Sequence, residues 1–397
     1  MKGCPWGKVL AGSSLALVLA CGGLAPATAQ ATAEPEGAGA ARPPVVLLEI
    51  HHQGTVVLLE QTPLASLATA KLGDAGEGSL LLKLQGEAGG FGYTATAAAR
   101  TADRERPYGR VELPEATLAW RWGAAVLEAG KQTLSWGKGF IARPSFPLRE
   151  KTSYLTVSLD LPLFQEVAST GIAWADWGDT APLLWGRVSW LFAASDLDLG
   201  LAGGPGRRPV PAAAYSTDLG RGWEWHAELS LPQGSDRLYP TGDLQTPLAP
   251  RKAEENQLYP RGLVGVEYLS PSGVMTVLEF YHQADGYNGA EADQFWQLSR
   301  APWGVGPVLN QLQTGGFLRQ NYAALAVTQA GGGNWWWQGS HLANLDDGSG
   351  VSRFQLTYLG QKDLEPGLDL SYYGGKPESE FGALARWEIA TRLTLYF

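Results

Sequence analysis

Three basic residues that could act on passing ions lie in one glycine- and proline-rich segment, residues 135–150. They are Lys138, Arg143 and Arg149. Charged side chains on a loop of defined shape can narrow and polarise a water-filled passage when the loop folds into it. A surface loop whose glycines and prolines serve only its turns would have the same composition. The segment is therefore a candidate constriction loop, with a surface loop as an equal alternative.

A larger set of charged residues recurs at every second position of segments that alternate apolar and polar residues. Since alternate side chains of a strand face opposite sides, this set and His226 are predicted to line one inner, aqueous face. The predicted basic members are Lys83, Arg100, Arg121, Arg187, Arg353, Arg386 and Arg392. The predicted acidic members are Glu87, Glu128, Asp160, Asp196, Asp198, Glu224, Glu228, Glu267, Glu279, Asp369 and Glu388. Because strong ion selectivity needs rings of one sign, 7 basic against 11 acidic residues predict at most a weak preference for cations.

His226 lies two residues from both Glu224 and Glu228, so all three share a face. This spacing suits a metal or proton site, but strand alternation alone also produces it, and we prefer that interpretation. Residues 346–350 (DDGSG) have a calcium-loop composition and are better interpreted as a tight external turn. The sequence contains neither a G-x-S-x-G nor an H-E-x-x-H motif. We expect no catalytic residue, no metal and no cofactor.

The amino terminus has the composition of an export signal. Residues 1–29 combine Lys2 and Lys8 with a short apolar run and an A-x-A site, which predicts a cleaved signal peptide. A lipid-modified Cys21 is the alternative. Both cysteines, Cys4 and Cys21, lie in this presequence. The mature chain would therefore have no disulfide, no thiolate metal site and no covalently attached c-type haem.

Composition excludes several classes of protein. The 397 residues include 30 Lys+Arg and 39 Asp+Glu, a net charge of -9, which becomes -11 (28 against 39) without the signal peptide. Such an acidic chain is unlike a nucleic-acid binder, which usually has a basic face. A mean hydropathy of -0.12 argues against a polytopic helical membrane protein. Residues 30–49, which begin with an Ala-, Gly-, Pro- and Glu-rich stretch, are predicted to form a flexible periplasmic arm.

Period-two alternation predicts the strands that must position the charged residues. In residues 223–231 the apolar side chains share one face, while Glu224, His226 and Glu228 share the other. Eighteen such strands are predicted, or sixteen if the weak segments 50–60 and 196–202 are not strands. The predicted strands are 50–60, 78–87, 91–100, 112–122, 124–134, 151–161, 167–177, 183–193, 196–202, 211–218, 222–231, 261–270, 274–283, 319–329, 334–344, 350–359, 366–373 and 386–397.

The last strand distinguishes a membrane barrel from a secreted β-sandwich. The apolar residues that share one face of this strand are Trp387, Ile389, Leu393, Leu395 and Phe397. A final strand of this pattern that ends in Phe resembles the assembly signal of Gram-negative outer-membrane β-barrels. The resemblance implies an all-β, transmembrane, antiparallel up-and-down barrel over residues 50–397. It also implies insertion by the barrel-assembly machinery into the lipid of a Gram-negative outer membrane. A sandwich that happens to end in Phe is the alternative.

A single-chain bacterial barrel has an even number of strands, short periplasmic turns and longer external loops. The predicted strands meet this rule when the long loops 61–77, 135–150, 232–260 and 284–318 are all external. The 16 Trp residues then suit aromatic girdles at the two membrane interfaces. The run 335–337 (WWW) breaks alternation, so one of its rings must face inward unless the strand begins within it. A girdle is preferred there over a ligand-stacking platform.

Residues 130–144 (GKQTLSWGKGFIARP) carry a second resemblance. They are similar to a G-K/R-Q-x-x-x-W-G-x-G-x-x-x-x-P pattern of poorly characterised porin-like outer-membrane families, including alginate-export-like barrels. Sixteen or eighteen strands leave an aqueous channel. The expected function is thus non-enzymatic, passive diffusion of small hydrophilic solutes.

Two other functions remain open. The barrel could be a sheath for a periplasmic partner such as a multihaem cytochrome, which would have to bring its own haem. It could also export an anionic polysaccharide, although that needs a basic passage and the chain is acidic. A homotrimer is common among general porins and is left open, because no interface is visible in the sequence.

Overall fold

The structure is a computed structural model that describes most of the chain beyond residue 41. The described residues are 42–58, 76–88, 91–100, 110–133, 137–144, 153–163, 166–174, 182–192, 194–205, 207–235, 237–241, 248–250, 256–299, 317–329, 333–361, 364–383 and 386–396. The predicted signal peptide, most of the predicted arm, Arg149 and Phe397 lie outside them.

Strands dominate the described residues. In chain order they are β1 (Arg42–Leu58), β2 (Gly76–Ala88), β3 (Phe91–Arg100), β4 (Arg110–Trp122), β5 (Ala125–Thr133), β6 (Ser153–Leu163), β7 (Glu166–Trp174), β8 (Leu183–Phe192), β9 (Ser195–Gly204), β10 (Arg207–Gly220), β11 (Trp223–Ser230), β12 (Leu238–Pro240), β13 (Leu248–Pro250), β14 (Arg261–Leu269), β15 (Val274–Gln283), β16 (Asn321–Gln329), β17 (Trp335–Asn344), β18 (Gly350–Tyr358), β19 (Leu364–Gly374) and β20 (Trp387–Tyr396). One helix, α1, covers Gly289–Ser299. No helix in the described part of the chain is long and apolar enough to span a membrane.

Eighteen of these strands form one closed antiparallel ring. Each strand pairs with the next along the chain, except that β11 pairs directly with β14 and leaves β12 and β13 as a separate hairpin. The ring closes where β20 pairs with β1, from Glu49 opposite Tyr396 to Leu58 opposite Trp387. Closure leaves no free sheet edge. The predicted all-β, up-and-down barrel of about eighteen strands is confirmed, and both weak segments are strands.

The start of the barrel corrects one predicted boundary. β1 begins at Arg42, so residues 42–49, which we had assigned to the arm, belong to the first strand. Pro43 and Pro44 have the composition of a flexible linker and lie at the start of this strand. Proline is tolerated at the first residues of a strand and at bulges, and the pairing of β1 with β2 is irregular between Arg42 and Val45, where these prolines lie.

The two faces of the barrel wall differ in the sense expected for a membrane protein. In β11 the exposed side chains are Trp223, Trp225 and Leu229, at 45%, 36% and 45% exposure, whereas His226 and Glu228 are only 3% and 4% exposed. A soluble sandwich would bury the apolar face instead. An outer apolar face around a polar interior is the pattern of transmembrane barrels.

Three aromatic pairs lie on the lipid-facing side of the barrel, at the end where short turns connect the strands. They are Phe91–Trp120, Trp223–Tyr268 and Trp335–Tyr358, with ring centroids 6.0, 4.5 and 4.8 Å apart. Aromatic side chains suit a membrane interface because their apolar rings and polar N–H or O–H groups meet different media. Since β17 begins at Trp335 and alternates from there, Trp336 occupies an inward position of the run 335–337. This arrangement supports the girdle interpretation for Trp335.

The long connections join strands at the opposite end of the barrel, which we call the outer end. When the eighteen strands are counted in order around the ring, each long connection follows an odd-numbered strand. In an antiparallel ring all such connections lie at the same end. The strands that flank the four predicted long loops have their facing ends here, although much of those loops, including residues 61–75, lies outside the described residues. Parts of these connections pack together as an apolar outer cluster of buried side chains, joined by the partly buried Leu248. Its buried members are Tyr239, Tyr287, Ala292, Phe295, Trp296, Leu298, Leu318 and Ala383. The outer connections therefore have a small core of their own.

Candidate functional site

The connection between β5 and β6 enters the barrel and is bound by two buried carboxylates. We call residues 137–144 the crossing loop. The backbone N–H groups of Lys138 and Gly139 donate to Oε1 of Glu228, the second at 2.6 Å. The next two N–H groups, of Phe140 and Ile141, donate to Oε1 and Oε2 of Glu279 at 2.6 and 2.8 Å. Four successive amides thus point at one wall.

These contacts place the crossing loop in the lumen. Glu228 and Glu279 are 4% and 2% exposed, while their strand neighbours Leu229 and Leu278 are 45% and 52% exposed on the outer face. The loop leaves the wall at β5 and returns at β6, but its partners lie on β11 and β15, five and seven positions further around the ring. The described part of the predicted 135–150 loop is thus inside the barrel and is not a surface loop.

Lys138 adds an ionic contact to the same wall. Its Nζ forms a salt bridge with Oδ2 of Asp196 on β9, and both side chains are about a quarter exposed, at 26% and 28%. The other oxygen of Asp196 accepts a hydrogen bond of 2.9 Å from Ser216. A partly exposed ion pair stabilises a fold only modestly, so we assign most of the anchoring to the four amide contacts.

His226 on β11 contacts Glu279 on β15, although these two strands are not neighbours. Its Nε2 lies 2.9 Å from Oε1 of Glu279, although β14 runs between β11 and β15. Gly265 on β14 is opposite both residues, and a Cβ there would overlap the imidazole of His226 and lie 2.8 Å from Cγ of Glu279. The missing side chain at Gly265 is therefore what lets His226 reach Glu279.

Apolar contacts hold the second half of the crossing loop. Ile141 and Ala142 pack on an inner aromatic cluster whose buried members are Leu263, Tyr281 and Tyr322. The remaining partly buried members of the cluster are Phe317, Leu342 and Phe381. The ring centroids of Phe317 and Tyr322 are 4.4 Å apart, and those of Tyr281 and Tyr322 are 6.3 Å apart. Phe317 and Phe381 come from outer connections, so the loop is held from both the wall and the outer end.

Two side chains of the crossing loop are exposed to solvent. Phe140 is 45% exposed, and Arg143 is also exposed. Nε of Arg143 donates to the carbonyl oxygen of Gly139 at 3.3 Å, which helps to fix the turn of the loop. Gly139 needs its lack of a side chain, because a Cβ would overlap the carbonyl of Ala142 and lie 2.9 Å from Leu263.

Several other predicted lumen residues have polar partners on the inner face of neighbouring strands. Arg187 binds Asp198 through two hydrogen bonds of 3.1 and 2.8 Å. The remaining contacts are Arg353 with Ser371 at 3.4 Å, Gln355 with Asp369 at 2.7 Å, Tyr373 with Glu388 at 3.0 Å and Arg392 with Thr357 at 3.0 Å. These pairs support the predicted inward register of Arg187, Arg353, Glu388 and Arg392.

The backbone pairing gives the positions of other predicted lumen residues on the strands. Glu128 is opposite Ser158, and Asp160 is opposite Val126, which is also opposite Arg121. Glu224 is opposite Glu267 on β14. The backbone pairs Lys83 with Thr96 and Glu87 with Gly92 on β3. The structure brings Lys138, Glu228 and His226 together at the loop, and sequence reasoning missed that this is where they meet.

One predicted lumen residue, Arg386, lies elsewhere. Arg386 precedes β20, and its guanidinium lies 5.8 Å from the ring centre of Tyr372, which occupies an outward position of β19. The predicted place of Arg386 in the lumen is therefore wrong.

Asp346, in the segment 346–350, accepts hydrogen bonds from the N–H groups of Gln320 and Asn321 at 2.7 and 2.9 Å. Burial alone would raise the pKa of Asp346, but these bonds and the Asn321 amide outweigh it and lower the pKa. Such bonding supports an external turn at 346–350.

The fold and the site together define a class of protein. A closed barrel of eighteen antiparallel strands, with an apolar outer face, a polar lumen and a connection folded across that lumen, is the architecture of a porin-like transmembrane β-barrel. Within the described residues, no group of three or more His, Cys, Asp or Glu side chains is placed to hold a metal ion.

Comparison with known proteins agrees with this class at the level of the fold. No protein-family model matches the sequence, and no curated protein matches it. OccAB1 of Acinetobacter baumannii has 8% identity and a TM-score of 0.58, with 91% of this chain and 98% of that chain covered. OccD3 (OpdP) of Pseudomonas aeruginosa has 10% identity and a TM-score of 0.57, with 91% and 92% covered.

A third solved structure also has a similar fold. Wzi of Escherichia coli has 10% identity and a TM-score of 0.53, with 88% of this chain and 84% of that chain covered. It is described as an outer-membrane protein involved in group 1 capsule assembly and as a carbohydrate-binding β-barrel. The predicted porin-like, Gram-negative outer-membrane barrel is thus confirmed as a fold.

Proposed function

We propose that this protein is a porin that lets small hydrophilic solutes diffuse across the outer membrane. The observation that carries the proposal is the crossing loop, which spans the lumen and is bound to its far wall by Glu228 and Glu279. A barrel of this size would otherwise hold a wide aqueous channel. A bound loop narrows that channel, so the residues of the loop would set the size of the solutes that pass.

We further propose that the lumen weakly prefers cations. The carboxyl groups of Glu224, Glu228, Glu267 and Glu279 lie close together on three neighbouring strands, β11, β14 and β15. Lumen arginines oppose this field, and Arg143 is the exposed one on the crossing loop itself. A mixed lining of this kind gives a mild preference and no strong selection.

The channel function is tested by the conductance of the purified protein in planar lipid bilayers. We expect stepwise currents and a reversal potential on the cation-selective side in a salt gradient. A well-folded protein that forms no channel would overturn the proposed function.

Arg143→Ala should make the channel more selective for cations. Removing one positive charge at about 4–8 Å from passing ions changes their energy by about 0.5–1 kcal/mol at the permittivity of water in the lumen, or roughly two- to fivefold in the permeability ratio. The matched control is Arg386→Ala, which removes the same charge from the outer face. Equal selectivity in both variants and the unmodified protein would remove Arg143 from the pore.

Polysaccharide binding is a second candidate function, favoured by the likeness to Wzi. It would be supported by retention of the protein on an immobilised anionic polysaccharide. The other alternative, a sheath for a periplasmic cytochrome, is less favoured, because the crossing loop occupies the space that such a partner would need. Co-purification of a haem protein would revive it.

We also propose that the barrel-assembly machinery recognises β20 as an assembly signal. Trp387 and Leu393 are 43% and 38% exposed on the outer face, and Ile389 shares this alternating register. Leu395 continues the register, and Phe397 follows the end of β20. A homotrimer in the outer-membrane lipid is an open part of the proposal, to be measured by the mass of the detergent-solubilised protein.

Deleting Phe397 should lower the yield of folded barrel in outer-membrane fractions while every strand is retained. The reason is that alternation in the sequence assigns Phe397 to the apolar face that we propose the machinery recognises. The measurement is the amount of heat-modifiable protein on gels, compared with Phe397→Tyr, which keeps an aromatic ring. Normal yield after the deletion would show that Phe397 is not part of an assembly signal.

A further inference from the structure

Four polar and aromatic side chains form a row across the lipid-facing side of the barrel near its outer end. They are His341 on β17, Ser352 on β18, Tyr372 on β19 and Trp387 on β20, and each is opposite the next in the strand pairing. His341 and Trp387 are exposed, as is Leu325, which lies opposite His341 on β16. We call these four residues the outer row. It belongs to the face of the wall that meets lipid.

The side chains of the outer row contact one another. Nδ1 of His341 lies 2.9 Å from Oγ of Ser352. The ring centroids of Tyr372 and Trp387 are 4.7 Å apart, and Cζ of Arg386 lies 5.8 Å from the ring centre of Tyr372. Aromatic rings on the lipid-facing side near the ends of the strands are typical of a membrane interface. The outer row therefore lies at the depth of the lipid headgroups.

Two glycines leave the backbone uncovered beside the outer row. Gly350 on β18 and Gly374 on β19 are opposite each other, two residues nearer the outer end than Ser352 and Tyr372. A Cβ at Gly350 would lie 3.2 Å from Nε2 of His341, and a Cβ at Gly374 would lie 3.3 Å from Cε1 of Tyr372. Both rings thus lean toward the outer end over neighbouring strands, which are about 4.8 Å apart. One small anion above the glycines could contact both rings.

The charge of this region is positive on the lipid-facing side. The guanidinium of Arg386 stays ionised at any physiological pH. Nε2 of His341 carries a hydrogen when Ser352 donates to Nδ1, and also when the ring is doubly protonated, so in both forms it can donate to an anion. In β16–β20, all of which the structure describes, the acidic residues alternate to the lumen side. They are Glu365, Asp369 and Glu388.

The acidic groups of the adjoining outer connections do not cancel this charge. In the connection between β17 and β18, Asp346 accepts hydrogen bonds from the N–H of Asn321, and Asp347 accepts them from the N–H groups of Ser349 and Glu380. In the connection between β19 and β20, the exposed residues 376 and 378 add one charge of each sign. An anion at the outer row would therefore meet Arg386 without a competing carboxylate on its own face.

An apolar slot lies next to the outer row, toward the middle of the membrane. The next lipid-facing positions on β17–β20 are Gly339, Phe354, Leu370 and Ile389, again opposite one another in turn. Phe354 is 41% exposed, and a Cβ at Gly339 would meet nothing within 4 Å. An open space beside an exposed aromatic ring suits an acyl chain. A cationic site with an apolar slot below it matches an amphiphile that has an anionic headgroup.

We propose that the outer row and Arg386 bind the phosphate headgroup of a lipid of the outer leaflet. Arg386 binds the phosphate through its guanidinium N–H groups, and His341 binds it through Nε2, while an acyl chain lies in the slot at Gly339. A guanidinium matches the geometry of phosphate through paired hydrogen bonds, and basic side chains at a membrane surface attract anionic headgroups. This inference does not depend on the proposed channel function, because it needs only the barrel in its membrane.

The test is the binding of lipid A, a phosphorylated outer-leaflet lipid, to the purified barrel in a neutral detergent, measured by native mass spectrometry. We expect lipid A to bind the unmodified protein, and dephosphorylated lipid A to bind roughly tenfold more weakly. Arg386→Ala should weaken the binding of lipid A roughly fivefold, and its combination with His341→Ala roughly tenfold or more. Excess inorganic phosphate should leave lipid A bound, because it has no acyl chain to occupy the slot.

Two single variants serve as matched controls. Arg386→Lys keeps a positive charge at the same place and should retain most of the binding. Lys376→Ala removes a positive charge from the same connection, away from the outer row, and should bind lipid A like the unmodified protein. Heat-modifiable migration on gels confirms that each variant is a folded barrel. Equal binding of lipid A by the double variant and the unmodified protein, or equal binding of lipid A and its dephosphorylated form, would overturn the site. Displacement by inorganic phosphate would overturn the lipid as its occupant.

Discussion

Replacing Glu228 and Glu279 together by alanine is expected to release the crossing loop and to increase single-channel conductance. The two carboxylates accept all four amide hydrogen bonds that tie the loop to the far wall. Hydrogen bonds to charged groups are each worth about 1.5–3 kcal/mol. Since water in the lumen can replace part of this, the anchored state should lose about 2–5 kcal/mol, enough to depopulate it.

A change in charge alone would also alter the current, so the control must remove two lumen carboxylates that do not touch the loop. Asp369→Ala with Glu388→Ala does so, because these residues bind Gln355 and Tyr373 on the inner wall. The loop-anchor variant should have both a higher conductance and a larger size limit for neutral sugars in liposome swelling. The same size limit in both double variants would refute the crossing loop as the constriction.

Gly265→Ala is expected to have the next largest effect, through a single methyl group. The new Cβ would occupy the space in which the imidazole of His226 approaches Glu279. Either His226 leaves Glu279 or β14 shifts, and overpacking of this kind typically costs about 1–3 kcal/mol. We expect a lower temperature of unfolding, which circular dichroism measures, and a conductance that rises towards that of the loop-anchor variant.

Two matched substitutions show whether the space around His226 is the cause. Gly262→Ala lies on the same strand, where an added Cβ would make only ordinary contacts of 3.6 Å or more. Gly339→Ala would meet nothing within 4 Å. Both should behave like the unmodified protein. Adding His226→Ala to Gly265→Ala should recover part of the lost stability, as coupled neighbours do in a double-mutant cycle. No recovery would place the strain elsewhere.

The barrel itself could be predicted from the sequence because its physical rule is local. Every strand must alternate between lipid and water, so a segment such as 223–231 reveals its two faces without any knowledge of its neighbours. Strand count followed from the even-number rule and from the need to place long loops on one side. The start of β1 was harder, because Pro43 and Pro44 have the composition of a linker and yet lie in a strand whose pairing is irregular there.

The site could be predicted only in part because its contacts are not local. Gly139 and Glu228 are 89 positions apart, and Ile141 and Glu279 are 138 apart, so no spacing pattern connects them. Charge and glycine content marked Lys138 and Arg143 as residues of a candidate constriction. They did not show that the main anchors would be backbone N–H groups, which every residue type except proline supplies. Nothing in the sequence pattern indicated that Gly265 belongs to the site. Its role is the absence of a side chain between two partners on other strands.

The pairing of β1 with β20 has a consequence for how the chain folds. The two strands that close the ring come from opposite ends of the sequence, and their contacts have nearly the largest separation that the chain allows. Contacts of this range are the slowest to form, because the intervening chain must first be ordered. Synthesis makes β20 after the other seventeen strands of the ring, so the ring cannot close before β20 has been made. Until then, β1 and β19 each have an unpaired backbone edge that could join another chain. Both edges therefore stay open until β20 is available to pair with them.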